Sequence, residues 1–382
     1  MSKLDELIAE LCPDGVEYVR LAECCDIEDN KRKPVKSSLR IPGDTPYYGA
    51  NNIQDYVEGY THYGQYVLIA EDGSASLENY SVQYVDGFFW ANNHVHVIKG
   101  RKDLDTKFLY YYLTSFNFIP FLTGGTRAKL NKGNMEEIPI PLPPLAVQQE
   151  IVRILDNFTE LTAELTAELT ARRKQYEYYR DLLLTFGNNP DIKWMTLGEI
   201  GPVCMCKRIM KAETSPVGDV PFFKIGTFGK EPDAFISQEK YDEYRKAFSF
   251  PKKGDILISA AGTIGRTVIY DGKPAYYQDS NIVWIDNDES KVLNKYLYYC
   301  YAMKPWSIST GGTIARLYND NISKAKIPVP PLEEQERIVA ILDRFDALCN
   351  DLTSGIPAEI EARQKQYEYY RDKLLSFKEV TA

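Results

Sequence analysis

Eight residues occur twice without a change, as Lys174-Gln-Tyr-Glu-Tyr-Tyr-Arg-Asp181 and Lys365-Gln-Tyr-Glu-Tyr-Tyr-Arg-Asp372, 191 positions apart. Composition does not produce such a match, so an internal duplication constrains the fold before anything else does. Upstream, Pro143-Pro144-Leu145, Gln148, Ile151, Val152, Ile154, Leu155, Asp156 and Phe158 recur as Pro330-Pro331-Leu332, Gln335, Ile338, Val339, Ile341, Leu342, Asp343 and Phe345, at an offset of 187. The second copy is therefore four residues longer inside. Each copy opens on Pro-Pro-Leu and closes on a phenylalanine, Phe186 or Phe377.

Both copies have the spacing of long helices. Ile151, Leu155, Phe158, Thr162, Leu165, Leu169, Arg172, Tyr176, Tyr179, Leu183 and Phe186 alternate steps of four and three. Nine of these eleven are apolar or aromatic, the pattern of a coiled-coil seam. The second seam runs Ile338, Leu342, Phe345, Cys349, Leu352, Ile356, Ile360, Arg363, Tyr367, Tyr370, Leu374 and Phe377, with one extra step of four. Such a stutter locally unwinds a supercoil, and Gly355 and Pro357 sit on it. Proline suits the first turn of a helix and not its interior, so a break is expected near 353–357. Two seams of matching length most simply pair with each other, antiparallel.

A net charge of −9 speaks at first against a polyanionic partner. Its distribution changes that reading. The helical segments 145–190 and 332–382 hold 12 Lys and Arg against 18 Asp and Glu. Residues 191–331 hold 19 cations against 16 anions, and residues 13–144 hold 13 against 17. Five of the latter cations, Lys31, Arg32, Lys33, Lys36 and Arg40, fall within ten residues. A chain this acidic is expected to hold a polyanion firmly only with a basic partner. Length bounds the chain at two or three domains. The seven cysteines, an odd number without a Cys-x-x-Cys pair, point to reduced thiols. No apolar run reaches membrane-spanning length and the N-terminus lacks a signal-peptide core, which predicts a cytoplasmic protein with no membrane partner.

The regions between the helices are diverged copies as well. Ser2–Leu11 has the pattern of a short amphipathic helix stopped by Pro13-Asp14-Gly15. Val16–Glu23 resembles Ile192–Glu199. A strand with a glycine turn follows in each (66–73 and 255–262), then a polar-to-apolar strand (92–98 and 279–285). A Tyr-rich helix (107–112 and 295–300) and a Gly-Gly loop (124–130 and 311–317) complete each copy. Short β-branched strands bounded by Gly, Asn and Asp, with a few helices, predict a mixed α+β domain. Matching joints around diverged domains predict two like scaffolds carrying two unlike recognition surfaces.

Catalytic signatures do not accumulate. There is no Gly-x-x-x-x-Gly-Lys-Ser/Thr phosphate loop. Gly262-Thr-Ile-Gly265-Arg266 lacks the Gly-x-Gly-x-x-Gly spacing and is read as a turn between strands. His94 and His96 share one face of a predicted strand, but no ligand set completes a metal site. Glu71-Asp72 could mimic a nuclease carboxylate pair, yet Ala260-Ala261 stands at the equivalent place. The loops instead carry the residue types that contact nucleic acid. Lys31, Arg32, Lys33 and Lys36 in the first half, and Lys207, Arg208, Lys211 and Arg266 in the second, are candidate phosphate or base contacts. So are Arg127, Lys129 and Arg316 in the Gly-Gly loops, where glycine permits close backbone approach. Tyr47, Tyr48, Asn51, Asn52, Asn93, Gln278, Asp279, Ser280 and Asn281 offer rings or polar groups suited to base edges.

Taken in order, Gly124-Gly-Thr-x-x-x-Leu130, then Ile138-Pro-x-Pro-x-Pro-Pro-Leu145-x-x-Gln148-x-x-Ile151, the same signature at 311–338, and the Tyr-Glu-Tyr-Tyr-Arg-Asp close resemble type I restriction–modification specificity subunits. The likeness covers essentially the whole chain. Tyr48-Gly49-Ala50-Asn51 and Phe89-Trp90-Ala91-Asn92-Asn93-His94 resemble elements of their target-recognition domains, and the Thr-Ala-Glu-Leu run at 162–169 resembles short repeats of their central helix. The resemblance implies an α+β chain, two pseudo-symmetric mixed α/β globular target-recognition domains separated by two long antiparallel coiled-coil helices. Its expected divisions are an N-terminal helix 1–11, domain one 12–143, a central helical spacer 144–187, domain two 188–330 and a C-terminal helical spacer 331–382.

The same resemblance implies a non-catalytic subunit reading double-stranded DNA with a bipartite site, one half per domain. The paired helices would set the spacer and dock two methyltransferase (modification) subunits, with restriction subunits in the full complex. Docking or coiled-coil contacts would fall on Ile151, Leu155, Phe158, Leu165, Leu169, Tyr176, Tyr179, Leu183, Ile338, Leu342, Phe345, Tyr367, Tyr370 and Leu374. No cofactor is expected on this chain; S-adenosylmethionine, ATP and Mg belong to the partners. The competing readings are a coiled-coil interaction scaffold and a self-sufficient DNA methyltransferase or nuclease, the latter lacking a catalytic motif.

Overall fold

The structure, a computed structural model, describes residues 3–125, 128–187, 189–308 and 316–380. The chain divides into two compact units, residues 1–166 with 359–382, and residues 167–358. The helix Leu145–Leu184 runs continuously from the first into the second.

In the first unit eight strands are formed: β1 (Tyr18–Arg20), β2 (Cys25–Ile27), β3 (Pro42–Gly49), β4 (Asn52–Val57), β5 (His62–Ala70), β6 (Val82–Ala91), β7 (Val95–Gly100) and β8 (Pro139–Pro141). Strands β2 to β7 build a six-stranded sheet in the order β2-β7-β5-β6-β3-β4, while β1 pairs only with β8. Every pairing in the sheet is antiparallel except β3 with β6. The second half of β5 is buried throughout, so it reads as a continuous apolar run, Tyr66-Val-Leu-Ile-Ala70, without alternation. The Tyr-rich segment folds as the helix Thr106–Thr114, its start capped by the Asp105 carboxylate, which accepts from the Lys107 and Phe108 N–H groups. It buries Phe108, Leu109, Tyr111 and Leu113 against Val67, Ile69 and Ile98 of the sheet. Val147, Ile151 and Leu155 of the long helix, Leu4 of the N-terminal helix Lys3–Leu11, and Leu374, Leu375 and Phe377 near the chain end complete the same core. Burial of a large apolar side chain contributes about 1.5–3 kcal/mol, so this unit depends on both ends of the sequence. Lys378 accepts the Val16 N–H at 2.8 Å, and Val380 donates to the Val16 carbonyl at 3.0 Å. The N-terminal helix thus shares a core with the end of the second long segment.

The second unit is assembled from β9 (Lys193–Thr196), β10 (Val203–Met205), β11 (Val220–Phe223), β12 (Phe235–Ile236), β13 (Ile256–Ser259), β14 (Thr267–Ile269), β15 (Tyr276–Tyr277), β16 (Ile282–Ile285) and β17 (Lys326–Val329). The six-stranded sheet of the first unit is here divided into β10-β16-β13-β14 and β12-β11-β15, with β9 paired to β17. A helix without a counterpart in the expected copy, Gln238–Ala247, is capped by Ser237 and packs Tyr241 into a separate aromatic core.

The duplication is visible at the level of single hydrogen bonds. Gln148, fully buried, accepts from the Asp105 N–H at 2.8 Å and donates to the Asp103 and Pro143 carbonyls at 2.9 and 2.7 Å. Gln335 is equally buried, accepts from the Leu293 N–H at 2.9 Å, and donates to the Lys291 and Pro330 carbonyls at 2.9 and 2.8 Å. Asp156 receives Lys107 and the Tyr111 hydroxyl, and Asp343 receives Lys295 and the Tyr299 hydroxyl. These repeated ties fix a Tyr-rich helix to the first turns of a long helix in each unit.

Within the first unit the early long helix meets the late second copy, Phe158 stacking on Tyr370 at 5.6 Å. Within the second, Tyr179 stacks on Phe345 at 5.6 Å, and Tyr176 lies beside it. Each closing octapeptide therefore packs against the opening of the other copy, the antiparallel pairing. The second copy breaks where expected: one helix spans Leu332–Asn350 and the next Ile356–Leu374. Asp351 holds the break by accepting from the Thr353 N–H and from the Thr353 and Ser354 hydroxyls. One seam position is corrected. Leu352 falls in this break and is 73 % exposed, because the chain has left helical geometry there.

Candidate nucleic-acid interface

In the second unit the chain turns out of β15 through Gln278-Asp279-Ser280-Asn281 before entering β16. This corner faces the loop that follows β10, and together with the end of β11 it lines an open groove of about 650 Å³. Four cations, Arg208, Lys211, Lys224 and Arg316, and two carboxylates, Asp233 and Asp279, contribute to its walls. The groove is therefore net positive in a chain that is net negative.

Three of its cations are held, not loose. The Arg208 Nε donates to Asp279 at 2.6 Å, with the guanidinium mostly exposed and the carboxylate mostly covered. Arg316 donates from Nη2 to the Ser280 carbonyl at 3.0 Å and to its hydroxyl at 3.1 Å. Lys224 pairs with Asp233 at 2.8 Å. Exposed pairs of this kind contribute about 0–1 kcal/mol to stability, so their main effect here is orientation. Gln278 spends its carbonyl on the Ile225 N–H at 2.9 Å, which leaves the NH₂ end for another acceptor. A guanidinium fork, an amide donor and the Asn281 carboxamide on one positive wall match the groups that pair with base edges and phosphates.

Of the residues singled out from sequence, Arg208, Lys211, Gln278, Ser280, Asn281 and Arg316 meet in this groove. Lys207 does not: its ammonium lies 5.0 Å from the Phe248 ring, and its carbonyl accepts the Tyr276 hydroxyl. Arg266 is turned inward to the Phe228 carbonyl at 2.9 Å. Lys224, Asp233, Thr214 and Ser215 line the groove but escaped sequence reasoning. Lys224 directly follows β11, the counterpart of β3, so superposing those two strands on the Tyr47-Tyr48-Gly49 motif would have found it.

The first unit scatters its candidates more widely. Tyr48 is a core aromatic, buried edge-on against Phe89 at 6.1 Å, and is corrected from a base-reading role. Tyr47 is buried too and stacks on Trp90 at 6.3 Å. Arg32 is largely buried and committed: it donates to Glu71 and to the Val95 carbonyl at 2.7 Å each. Lys129 binds the other Glu71 oxygen at 2.8 Å. Burial raises the Glu71 carboxyl pKa, but the hydrogen bonds from Lys129 and Arg32 outweigh it and hold the group below its ordinary value. Asn51 bridges Gly73 and Ala75, and Asn52 turns the chain at positive φ with its side chain on the Ile53 N–H. Lys31 pairs with Glu28 at 2.6 Å. Lys33, Lys36 and Asn93 are exposed, and the Lys33 carbonyl accepts the Trp90 indole N–H at 2.7 Å. Arg127 lies outside the described residues.

The two histidines do not share a face. His96 is buried in β7 between Asp29 (2.6 Å) and the Leu130 carbonyl (2.8 Å), whereas His94 precedes the strand and is exposed beside Asp72 (2.5 Å). Among the described residues no group of His, Cys, Asp and Glu could hold a metal ion, and no helix is long and apolar enough to cross a membrane. Of the expected docking residues, Ile151, Leu155, Ile338 and Leu342 are fully buried inside the two units. Phe158, Tyr176, Tyr179, Leu183, Phe345, Tyr367, Tyr370 and Leu374 pack along the helix contacts or against the cores. Leu165 and Leu169 are half-buried on the long helix. The outward face of each octapeptide carries Tyr178 and Tyr369 instead, 64 and 63 % exposed.

Two like α+β scaffolds on long helices, each with its own set of loops and one with a positive polar groove, define a tandem recognition protein. The comparisons with known proteins agree. A family model described as the type I restriction modification DNA specificity domain matches residues 13–172 and again 189–362. The chain is 63 % identical over 370 residues to a putative type I restriction enzyme specificity subunit of Haemophilus influenzae, covering 95 % of this chain and 96 % of that one. It is 38 % identical over 293 residues to the EcoR124I/EcoR124II specificity subunit of Escherichia coli, covering 71 % and 70 %. Among solved structures, the S subunit of a type I restriction–modification system from M. genitalium has the same fold, with a TM-score of 0.57 at 17 % identity over 94 % of this chain and 95 % of that one. The chain belongs to the type I restriction modification DNA specificity family, with two copies of its domain in tandem. As a specificity subunit it has a non-catalytic role.

Proposed function

We propose that each globular domain, 12–143 and 188–330, reads one half of a bipartite DNA site, and that the helical segments 144–187 and 331–382 fix the spacing between the halves. The observation that carries this reading is the contrast between identical joints and unlike loops. Gln148 and Gln335 make the same three hydrogen bonds, yet the Gln278–Asn281 corner and its cationic wall differ residue by residue from the corresponding loop of domain one. A duplicated frame that changes only its reading surfaces is what a two-part site requires. In domain two, Arg208, Lys211, Lys224 and Arg316 meet phosphates and base edges, and Gln278, Ser280 and Asn281 add donors and acceptors.

The partners follow from the same duplication. Tyr178 with Asp181, and Tyr369 with Asp372, present one outward surface twice, suited to two copies of one methyltransferase subunit. The inward seam residues hold the helices together and are not themselves the docking surface. Restriction subunits join the larger assembly, S-adenosylmethionine, ATP and Mg lie on the partners, and the complex works on DNA in the cytoplasm. Binding of the chain with its methyltransferase partner to duplexes of known methylation site tests this. Arg208→Ala with Arg316→Ala should weaken specific binding by about 1–3 kcal/mol per lost base contact and relax one half-site only. Equal loss of affinity on specific and scrambled duplexes would reduce the groove to a phosphate contact and refute the reading.

A further inference from the structure

Two segments of domain one, Glu71-Asp72 and Asn92, meet at His94. Its Nδ1 lies 2.5 Å from an Asp72 oxygen, its N–H donates to the Asn92 side chain at 2.8 Å, and its carbonyl accepts the Glu71 N–H at 2.8 Å. Asp72 is bridged in turn to Lys129 of the Gly-Gly loop, and Asn51 binds the Gly73 carbonyl at 2.7 Å.

Backbone geometry relates this corner to the domain-two groove. The Asn92 N–H donates to the Tyr48 carbonyl at 3.2 Å, as the Gln278 N–H donates to the Phe223 carbonyl at 2.9 Å. Two residues earlier, Trp90 donates to the Lys33 carbonyl, as Tyr276 donates to the Lys207 carbonyl. The Leu130 N–H binds the Glu71 carbonyl, as the Leu317 N–H binds the Ala260 carbonyl. Asn92-Asn93-His94 therefore stands in domain one where Gln278-Asp279-Ser280 forms the groove rim in domain two.

We infer that His94 is a base-reading residue of domain one, with Asp72 as its positioning residue; this rests on the reading of DNA half-sites proposed above. A carboxylate accepts only, so Nδ1 carries the proton and Nε2, with no partner among the described residues, is the free pole of the ring. In the neutral ring Nε2 accepts, and the base group it fits is an exocyclic amine, on adenine N6 or cytosine N4. His94 therefore discriminates at one position of one half-site. The charged groups about the ring are Asp72, then Glu71 with its partners Arg32 and Lys129.

The test uses the full chain assembled with its methyltransferase partner and a panel of duplexes carrying single base changes across both half-sites. The wild type should discriminate by about tenfold at the position that supplies the amine. His94→Ala should lose that discrimination and leave the other half-site intact. Asp72→Asn still accepts the Nδ1 proton and should keep the contact, whereas Asp72→Ala should lose it. Arg208→Ala is the control for the underlying reading, since it should alter the other half-site. An unchanged panel for His94→Ala beside an altered one for Arg208→Ala would overturn the role of His94 alone. Unchanged panels for both would overturn half-site reading and this inference with it. Uniform weakening on all duplexes, or loss across the whole half-site, would also overturn it by marking a phosphate contact or a structural residue.

Discussion

Gln148 and Gln335 place an uncharged polar side chain where an apolar one would fit the core, and each satisfies three backbone groups. Replacing either by leucine keeps the volume and strands those groups. The cost of each stranded buried group is about 1–3 kcal/mol, less what water recovers, so Gln148→Leu should destabilise the first unit by about 3 kcal/mol. Amide hydrogen exchange should show faster opening of Leu104–Leu113 in that variant, and Gln335→Leu should do the same for Val292–Tyr301 only. Glu28 supplies a pH signature. Burial raises its carboxyl, but hydrogen bonds from Lys31, Tyr66 and Lys99 outweigh this and hold its pKa at about 2, below the ordinary 4.5. A depressed carboxylate stabilises the fold above its unfolded pKa, and the contribution disappears as pH falls through about 2. The denaturation midpoint of Glu28→Gln should therefore lie below the wild type at neutral pH and converge on it between about pH 4.5 and 2. Much at this scale was not legible in sequence. Lys and Arg signal a positive loop equally whether they point to solvent or, like Arg32, close an internal ion network. Tyr48 and Asn51 likewise carry no mark that separates a base contact from a core ring or a turn bridge, because the difference is made by tertiary neighbours.

The helices were the most legible elements, since a repeated heptad seam constrains length, direction and partner at once. The break in the second copy was legible too, because Gly355 and Pro357 sit on the stutter. Its physical basis is now specific. A Cβ on Gly355 would lie 2.6–2.9 Å from the carbonyl oxygens of Ala347, Leu348 and Asp351. Gly355→Ala should consequently lower the thermal midpoint of the second unit, by about 1–3 kcal/mol in denaturation, with Leu352→Ala nearly silent at its exposed site. The division of the domain-two sheet and the inserted helix Gln238–Ala247 were not anticipated, because the domains diverge where the joints do not. The run Thr162-Ala-Glu-Leu165, Thr166-Ala-Glu-Leu169 allows a test of the spacer. Four helical residues add about 6 Å and one turn plus roughly 40°, close to the roughly 34–36° of one base-pair step. Deleting Thr166–Leu169 should shorten the non-specific spacer by about one base pair while both half-sites persist, as methylation mapping of the variant would reveal.

At the scale of the molecule, each unit is closed by a segment from the other repeat: the chain end completes the first core, and the close of the first octapeptide, with Tyr176, Leu183 and Phe186, completes the second. Truncation after Arg371 should therefore unfold domain one although it removes nothing between residues 12 and 143, a coupling that limited proteolysis would detect. The modular reading of DNA is a separate claim and has its own measurement. Residues 191–331 lie between joints that the two repeats share, and every lining residue of the positive groove falls within them. Replacing this segment with its equivalent from a relative of different specificity, and mapping methylation across the genome of a host carrying the hybrid with its methyltransferase partner, tests the central claim most directly. The hybrid should keep one half-site and the spacer and exchange the other half-site for that of the donor. A change in both half-sites, or in neither, would contradict it.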